Sequence, residues 1–443
     1  MKRFLTAKNI LLVLALSFSA NCFVLVSELP YLLLAVIPLF LIVNGFAGAS
    51  GPDTTRIRLK LLHHGGVLLS IFGASLIFAV ISQLIITLVF FDRDIWVIVW
   101  SVLWCLVAEA FVFVHAITVI YCTSAQMGIT FRIIAFFAGF VPVLNIVMMV
   151  RIVTVVLDEV EVEIDRDKKN KLGATLQLCK TKYPILLVHG VFFRDYKYFN
   201  YWGRIPKTLI KNGAKIYYGD HQSARPVAES ARELYWRIKM IVEDTGCEKV
   251  NVIAHSKGGL DIRYAMSEFP DIAPYIASLT TINTPHRGCL FADRLLDTAP
   301  TKLKMSVSKT YNFAMRRLGD SNPDFLAAVT DLTAEACAER NEKLKIPDGV
   351  YCRSVGSVLN HASNGRFPLN LSHRYVKKYD GPNDGLVGES SFEWGEDYRL
   401  ISVNGKRGVS HSDMTDLNRD NIKDFDVRGF YVDLVHELKE KGL

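Results

Sequence analysis

A serine in this chain lies in surroundings that suit nucleophilic chemistry. Ser256 follows an apolar run of β-forming residues at 250–254 and precedes Gly258 and Gly259. This pattern is typical of a nucleophile elbow, a tight strand-to-helix turn that exposes the serine hydroxyl. The usual motif is G-x-S-x-G, and Ala254 stands where its first glycine would be. Alanine is the smallest replacement, so close packing of the strand against the helix is still expected.

The partners of this serine are expected later in the chain. A serine hydroxyl is a poor nucleophile unless a base accepts its proton and a third group orients that base. After a nucleophile elbow, the chain order is serine, acid, histidine. Asp384, in an Asn-Asp-Gly turn, supplies the acid, and His411 supplies the base. The other histidine beyond Asp384, His436, falls in a predicted amphipathic helix at 427–438, a poor position for a mobile base. We therefore predict Ser256, Asp384 and His411 as a catalytic triad.

Stabilisation of a developing oxyanion requires preorganised N–H donors, which are typically worth about 3–4 kcal/mol each. One predicted donor is the backbone amide of Lys257, which directly follows the serine. The second is the amide of Val191, which follows His189-Gly190 at the end of a predicted strand. Phe192 is the alternative to Val191.

The elements that must position these residues are predicted from periodicity. In the C-terminal half, short apolar runs alternate with helical patterns, which indicates a mostly parallel sheet covered by helices. Strands are predicted at 185–188, 214–218, 250–254 and 276–282, and helices at 228–242, 260–269 and 427–438. Residues 297–345 break the alternation and are rich in helix formers. They form either a lid over the sheet edge or an ordinary pair of packing helices.

The N-terminal part of the chain is far more apolar. A helix needs about 20 apolar residues to cross a bilayer. Five segments are long enough or nearly so, at about 10–26, 29–49, 66–91, 95–121 and 133–157. We predict a transmembrane helical domain at 1–160, a charged linker at 161–182 and a globular domain at 183–443.

The membrane orientation follows from the basic residues, which tend to stay in the cytoplasm. Lys2, Arg3 and Lys8 place the N-terminus inside, and so do Arg56, Arg58 and Lys60 for the loop after the second segment. The turn at 92–94 is then outside, and the loop with Arg132 is inside. A fifth crossing places the globular domain outside the cytoplasm, at the cell membrane.

An alternative orientation depends on the fifth segment. Because it contains Pro142, Asn145 and Arg151, this segment could lie in the interface instead, which would leave the globular domain in the cytoplasm. Within the fourth segment, Glu109 and His115 are either functional groups or partners in hydrogen bonds between helices.

Composition narrows the classes of partner. Residues 1–165 hold 9 basic and 10 acidic residues, whereas the remainder is mildly basic, which suits an anionic membrane surface or simple solubility. The sequence contains no run of basic residues that would indicate a nucleic-acid surface, and no zinc-spaced Cys/His cluster. The spacing of its eight cysteines predicts no disulfide framework.

Several motifs together resemble the bacterial triacylglycerol lipases of the α/β-hydrolase superfamily. The resemblance covers about 180–420 and is carried by the stretches at 183–190, 201–206, 250–263, 284–288, 332–335, 340–341, 383–388 and 410–413. It implies an α/β-hydrolase fold, the triad Ser256, Asp384 and His411, and hydrolysis of acyl esters through an acyl-enzyme without a required cofactor.

Two features depart from that family. The bacterial lipases are secreted and carry no membrane bundle, so residues 1–165 lie outside the resemblance. Many of them hold a structural calcium beside the base loop. Asp413 matches one carboxylate ligand, but Leu417 stands where a glutamine ligand would be. Calcium needs several oxygen ligands, so Asp413 either binds the ion or holds the loop of His411.

The leading hypothesis is a membrane-anchored lipase or carboxylesterase that acts on lipid or other acyl esters. An acyltransferase or a phospholipase with the same triad is the nearest alternative, since these motifs do not specify the acyl acceptor. A catalytically silent membrane sensor or scaffold is the alternative from another class, and the intact triad residues argue against it.

Overall fold

A computed structural model describes residues 6–49, 51–92, 94–191 and 200–443. The chain divides into two compact units, Met1–Lys168 and Lys169–Leu443. The N-terminal unit is helical and the C-terminal unit is built around a parallel sheet.

The helical unit contains α1 to α6 and the first part of α7. Their bounds are α1 Ala7–Asn21, α2 Phe23–Glu28, α3 Leu33–Phe46, α4 Ile57–Phe90, α5 Ile95–Thr123, α6 Ile129–Ala138 and α7 Leu144–Leu176, with a 3-10 turn at Pro30–Leu32. By length and composition, α4 and α5 are the two described helices that could cross a membrane.

The five predicted apolar segments correspond only in part to these helices. The first is divided into α1 and α2 at Cys22, and the third begins earlier than predicted, at Ile57. The fifth predicted segment, at 133–157, is divided between two helices. α6 ends at Ala138, and α7 begins only after Pro142 and Val143, whose φ of 68° no helix allows. Proline lacks an amide hydrogen and clashes with the preceding turn, so the helix is interrupted there.

Polar contacts between helices hold the interior of this unit. The Ser75 hydroxyl of α4 donates to both carboxylate oxygens of Glu109 on α5, at 2.9 and 3.0 Å. His115 Nδ1 lies 3.2 Å from Asn44 Oδ1 of α3. Glu109 and His115 therefore make the hydrogen bonds between helices that were one of their two predicted roles.

Most of the predicted linker at 161–182 is helical, because α7 continues through it to Leu176. Ion pairs stabilise this charged part of the helix. Arg56, which precedes α4, contacts Glu163 and Asp167 at 2.8 and 3.2 Å. These acidic residues are four apart and lie on one face of α7.

The C-terminal unit contains one sheet of six parallel strands in the order β2-β1-β3-β4-β5-β6. The strands are β1 Ile185–Val188, β2 Ile216–Tyr218, β3 Val250–His255, β4 Ile276–Ile282, β5 Tyr351–Ser357 and β6 Asp397–Ile401. From β1 the chain adds β2 on one side and then β3 on the other, so the order of strands reverses between β1 and β3. In parallel sheets, sites form at the carboxyl ends of strands beside such a reversal.

Helices cover both faces of the sheet. They are α8 Ile205–Lys211, α9 Val227–Thr245, α10 Lys257–Glu268, α11 Leu290–Thr298, α12 Thr301–Arg317, α13 Phe325–Thr330, α14 Ala334–Lys343, α15 Leu369–Asp380 and α16 Val427–Glu440. Alternate residues of β1 enter the two cores. Leu187 packs on the side of α16, and Leu186 packs on the side of α9. This arrangement confirms the predicted α/β fold.

The segment at 297–345 forms α12, α13 and α14 with the end of α11. These helices share a buried cluster with Val191 and Leu260, which lie near the ends of β1 and β3. Strands β5 and β6 were not predicted. β5 contains Arg353, which is buried by contacts with Thr280 and Glu437, and β6 is a partly exposed edge strand.

Candidate active site

Ser256 occupies the turn between β3 and α10, as the sequence predicts. Its backbone has φ 55° and ψ −132°, a sparsely populated region for a residue with a side chain. The following glycines allow the turn to close. A Cβ on Gly258 would lie 2.4 Å from the carbonyl oxygen of His189, and one on Gly259 would lie 2.1 Å from Thr284 Oγ1. Ala254 is fully buried and pairs with Val188 of β1, so its methyl group fits in this turn.

The predicted acid and base are in direct contact. His411 Nδ1 lies 2.6 Å from Asp384 Oδ2, and the His411 amide donates to the Asp384 carbonyl oxygen at 2.8 Å. The other carboxylate oxygen accepts the amides of Leu386 and Val387 at 2.9 and 2.8 Å. Asp384 is fully buried, while His411 keeps a small exposed fraction. The loops therefore hold a carboxylate against one imidazole nitrogen, as a catalytic base requires.

Asn283 is a site residue that sequence reasoning missed. It follows β4 with φ 48°, a left-handed conformation that asparagine tolerates better than most residues. Its amide nitrogen donates to Asp384 Oδ2 at 2.6 Å and to Ser357 Oγ at 2.7 Å. The available signal was its position directly before the motif at 284–288, at the carboxyl end of a predicted strand.

His255 connects the elbow to the base loop. Its Nε2 lies 3.2 Å from the His411 carbonyl oxygen, and the two imidazole rings are 4.5 Å apart. On the other side, Tyr201 Oη lies 2.7 Å from His255 Nδ1. Burial, with His411 nearby, lowers the pKa of His255 well below its usual value. A neutral His255 imidazole therefore contacts the backbone of His411 without adding a charge to the site.

The two predicted oxyanion donors, Lys257 and Val191, are each next in sequence to a residue of the elbow or in contact with it. The Lys257 amide is at the first position of α10, where helix amides have no partner within the helix. Gly190 lies against the serine, because a Cβ added to it would be 2.7 Å from Ser256 Cβ. Val191, the next residue, is buried. Phe192, the alternative donor, lies outside the described residues.

The Lys257 side chain points into the protein interior. Its ammonium group donates to Ser230 Oγ at 2.9 Å and to the Asp261 carboxylate at 2.8 and 3.0 Å. Burial raises the pKa of Asp261 to about 7, and the lysine opposes that effect. His221 contacts the same carboxylate at 3.7 Å and stacks on His189 at 4.0 Å. Because its ammonium is bound here, Lys257 has only its backbone amide to offer the site.

The surroundings of Asp413 do not fit a calcium ion. Its carboxylate accepts the Ser410 amide at 2.9 Å, and the Arg407 guanidinium lies 3.3 and 3.4 Å away. Arg407 also approaches Asp420 at 3.7 Å. A positively charged group therefore already lies beside this carboxylate, and the Leu417 side chain offers no oxygen. Among the residues with described placement, no group of three His, Cys, Asp or Glu side chains could hold a metal.

Known triacylglycerol lipases are similar in sequence. The Vibrio cholerae lipase is 29% identical over 261 residues, covering 52% of this chain and 82% of its own length. The Pseudomonas fragi lipase is 28% identical over 305 residues, covering 59% and 98%. The lipase of Pseudarthrobacter phenanthrenivorans is 37% identical over 174 residues, covering 36% and 53%, so the chain matches about half of that relative. No family model matches the chain.

Among solved structures, the mature Bacillus licheniformis lipase BlEst2 is 20% identical and superposes with a TM-score of 0.43, over 58% of this chain and 92% of its own. The sequence relatives are lipases, and the sheet of this chain presents a nucleophile elbow at the end of β3. The protein is a carboxylic ester hydrolase with an α/β-hydrolase fold, and its sequence is similar to those of triacylglycerol lipases.

Proposed function

We propose that the protein is a membrane-anchored serine hydrolase that cleaves acyl glycerols or other lipid esters through Ser256, His411 and Asp384. The observation that carries this proposal is the 2.6 Å contact between His411 Nδ1 and Asp384 Oδ2 on loops beside the elbow. Asp384 holds the imidazole in the tautomer with hydrogen on Nδ1, which leaves Nε2 to accept a proton.

The reaction proceeds in two stages. His411 Nε2 accepts the Ser256 hydroxyl proton while Oγ bonds to the ester carbonyl carbon, and the carbonyl oxygen becomes an oxyanion. The amides of Val191 and Lys257 donate to that oxygen. The carbon–oxygen ester bond then breaks, the alcohol leaves with the proton from His411, and an acyl-enzyme remains. His411 Nε2 then accepts a proton from water, whose oxygen bonds to the acyl carbon. The bond between that carbon and Ser256 Oγ breaks, His411 returns the proton to Oγ, and the carboxylic acid leaves.

Membrane anchoring is supported by the surface of the helical unit. α4 and α5 expose large apolar side chains, including Ile77 (64%), Leu88 (73%) and Val107 (70%). Exposing so many to water would be unfavourable, at roughly 25 cal/mol per Å² of apolar surface. A bilayer covers them. This anchor keeps the hydrolase where lipid esters collect.

A lid is the second role that we propose, for α12. Its exposed face carries Leu303 (55%), Val307 (45%) and Phe313 (58%). Tyr311 on the same helix packs against the cluster that contains Val191. An apolar face of this kind suits contact with a lipid surface, and its displacement would open the entrance to Ser256.

The test of the proposed function compares the full chain with Ser256→Ala, using p-nitrophenyl esters of several chain lengths in detergent. We expect Ser256→Ala to lose about 10³-fold or more in kcat with an unchanged melting temperature. Ser267→Ala, near the other end of α10, is the matched control and keeps wild-type activity. Equal rates for wild type and Ser256→Ala would rule out the triad.

The same assay separates the alternatives. Transfer of the acyl group to an added alcohol in preference to water indicates an acyltransferase, and preference for phospholipid esters indicates a phospholipase. A folded full chain without esterase activity on any substrate indicates a sensor or scaffold.

A further inference from the structure

The helical unit has two ends of different charge. α1 and α4 start at one end, which we call the basic end, and α3 and α5 finish there. The His64 ring contacts the Ala47 carbonyl, and Arg58 donates to the Thr123 carbonyl at 2.6 Å. At the opposite end, Gln83 of α4 contacts Asn21 of α1 and Ser101 of α5 at 2.9 and 3.1 Å.

The helices α6 and α7 form a hairpin that enters the bundle from the basic end and returns to it. A cavity of about 400 Å³ is lined by Phe140 at the tip of the hairpin, by Leu76 near the middle of α4 and by Phe113 of α5. A Cβ on Gly73 would lie 2.7 Å from Met149 Cε, so the start of α7 is also beside the middle of α4. The tip therefore reaches about half the depth of the bundle.

The positions of two arginines give an independent measure of this reversal. An uncharged segment of 18 residues lies between Arg132 and Arg151. In one straight helix they would be about 28 Å apart along the axis, at about 1.5 Å per residue. Instead, the Arg151 guanidinium lies 5.5 Å from the ring of Phe131, the residue before Arg132. Both arginines are therefore at one level, and the segment between them does not cross the bundle.

Glu159 fixes the place where α7 leaves the bundle. Its carboxylate accepts the Ser124 hydroxyl at 2.7 Å and the amides of Ala125 and Gln126 at 3.1 Å, all in the loop between α5 and α6. Arg58 contacts the same carboxylate at 2.7 Å. Glu159 is 1% exposed. The chain therefore leaves the helical unit at the basic end.

The charges at the two ends differ strongly. The sequence places Lys2, Arg3, Lys8, Arg56, Arg58, Lys60 and Arg132 at or before the basic end. The loops of the opposite end, at 22–32 and 91–94, contain Arg93 as their one basic residue. Basic residues in short loops stay in the cytoplasm, and this rule counts lysine and arginine rather than net charge.

We infer that α6 and α7 form a re-entrant hairpin, that the hydrolase unit is in the cytoplasm, and that its site takes ester lipids from the cytoplasmic leaflet. This inference rests on the membrane anchoring proposed above. It replaces the expected extracytoplasmic location, which required a fifth crossing. Segments of 10 to 14 apolar residues, such as the apolar parts of α6 and α7, are too short to span and are typical of re-entrant elements.

Labelling with a membrane-impermeant maleimide tests the orientation without using activity. In the full chain with Cys122→Ser and Cys247→Ser, Asp92→Cys marks the turn opposite the basic end, and Glu248→Cys marks the hydrolase unit, where its side chain is 75% exposed. In intact cells we expect Asp92→Cys to react and Glu248→Cys to react only after permeabilisation. Labelling of Glu248→Cys in intact cells would overturn the inference. So would protection of both positions, because the bundle would then not cross the membrane.

The substrate side is tested with a sulfonated fluorogenic ester that does not cross membranes. We expect inside-out vesicles to hydrolyse it and sealed right-side-out vesicles to do so only after detergent is added. Full activity in sealed right-side-out vesicles would overturn the cytoplasmic site. If no preparation is active even in detergent, the proposed hydrolysis fails, whereas the labelling result still decides the orientation.

Discussion

At the scale of single residues, the side-chain amide of Asn283 contacts the proposed triad. It donates at 2.6 Å to the same oxygen of Asp384 that faces His411. Removing that donor takes away one of the contacts that hold the carboxylate against the imidazole, although the amides of Leu386 and Val387 remain. Because near-attack geometry depends on small displacements, Asn283 acts as a positioning residue for the base.

We predict that Asn283→Gly lowers kcat by about tenfold to a hundredfold with little change in KM. Glycine tolerates the φ of 48° at this position, so the backbone is preserved. Steady-state kinetics on a soluble ester measures both constants. A rise in KM alone would show that Asn283 contacts substrate rather than the acid.

Asn283→Asp provides a pH readout at the same position. A second carboxylate next to Asp384 disfavours ionisation of the pair, since like charges raise carboxyl pKa values. One of the two carboxylates in the variant would therefore become protonated at a higher pH. We expect the acid side of the kcat profile to move to higher pH than in wild type. An unchanged profile would contradict direct coupling of the two side chains.

At the scale of elements, the elbow depends on a close contact between the start of α10 and the end of β1. Gly258 packs against the His189 carbonyl oxygen, a backbone atom that cannot rotate away. Ala254, on the strand side, packs in the core without such a restriction. A glycine is therefore required at position 258, whereas position 254 of the motif accepts alanine.

We predict that Gly258→Ala removes activity and lowers the free energy of unfolding by about 1–3 kcal/mol or more, as overpacking does. Ala254→Gly is the matched control. It restores the usual motif, keeps activity and costs about 0.5–1 kcal/mol, because glycine weakens a strand. Chemical denaturation and ester hydrolysis measure both variants. Wild-type stability of Gly258→Ala would mean that α10 can shift away from β1.

The loop of His411 is held by an arginine. Arg407 contacts Asp413, whose carboxylate is 4% exposed and also accepts the Ser410 amide next to His411. The guanidinium supplies the positive charge that a calcium ion would otherwise bring. We therefore propose that this loop needs no calcium.

We expect a chelator to leave wild-type activity and melting temperature unchanged. Arg407→Ala leaves a buried carboxylate without its cation and should lower the free energy of unfolding by about 1–3 kcal/mol. Arg366→Ala is the control. The Arg366 side chain, which pairs with Asp420, is 51% exposed, so its removal should lower the free energy of unfolding by less. A loss of wild-type activity on chelation would show that the loop does bind a metal.

At the scale of the whole molecule, an apolar helical unit is joined to a hydrolase unit through the single helix α7. We predict that the full chain stays with membranes in high salt and alkaline carbonate and is released by detergent, because burial of apolar side chains does not depend on salt. Sedimentation followed by immunoblotting measures this, beside a peripheral membrane protein that carbonate releases. Release by high salt would show that only charge attracts the protein to the membrane.

Local patterns in the sequence determined much of the hydrolase unit. The runs at 185–188 and 276–282 coincide with β1 and β4, since buried parallel strands are continuous apolar runs. The elbow was predictable because strand, serine, glycines and helix are adjacent in the chain. The contact between Asp384 and His411 was predictable from chain order and from the resemblance to lipases.

Other features depended on tertiary contacts. β5 escaped prediction because Arg353 is a polar residue that its partners Thr280 and Glu437 allow to be buried. Asn283 became a site residue only when β4 was placed beside the loop of Asp384. The course of residues 133–157 was decided by packing against α4 and by the Glu159 contacts. Hydropathy measures how apolar a segment is, but only its neighbours determine whether it crosses the bundle or turns back.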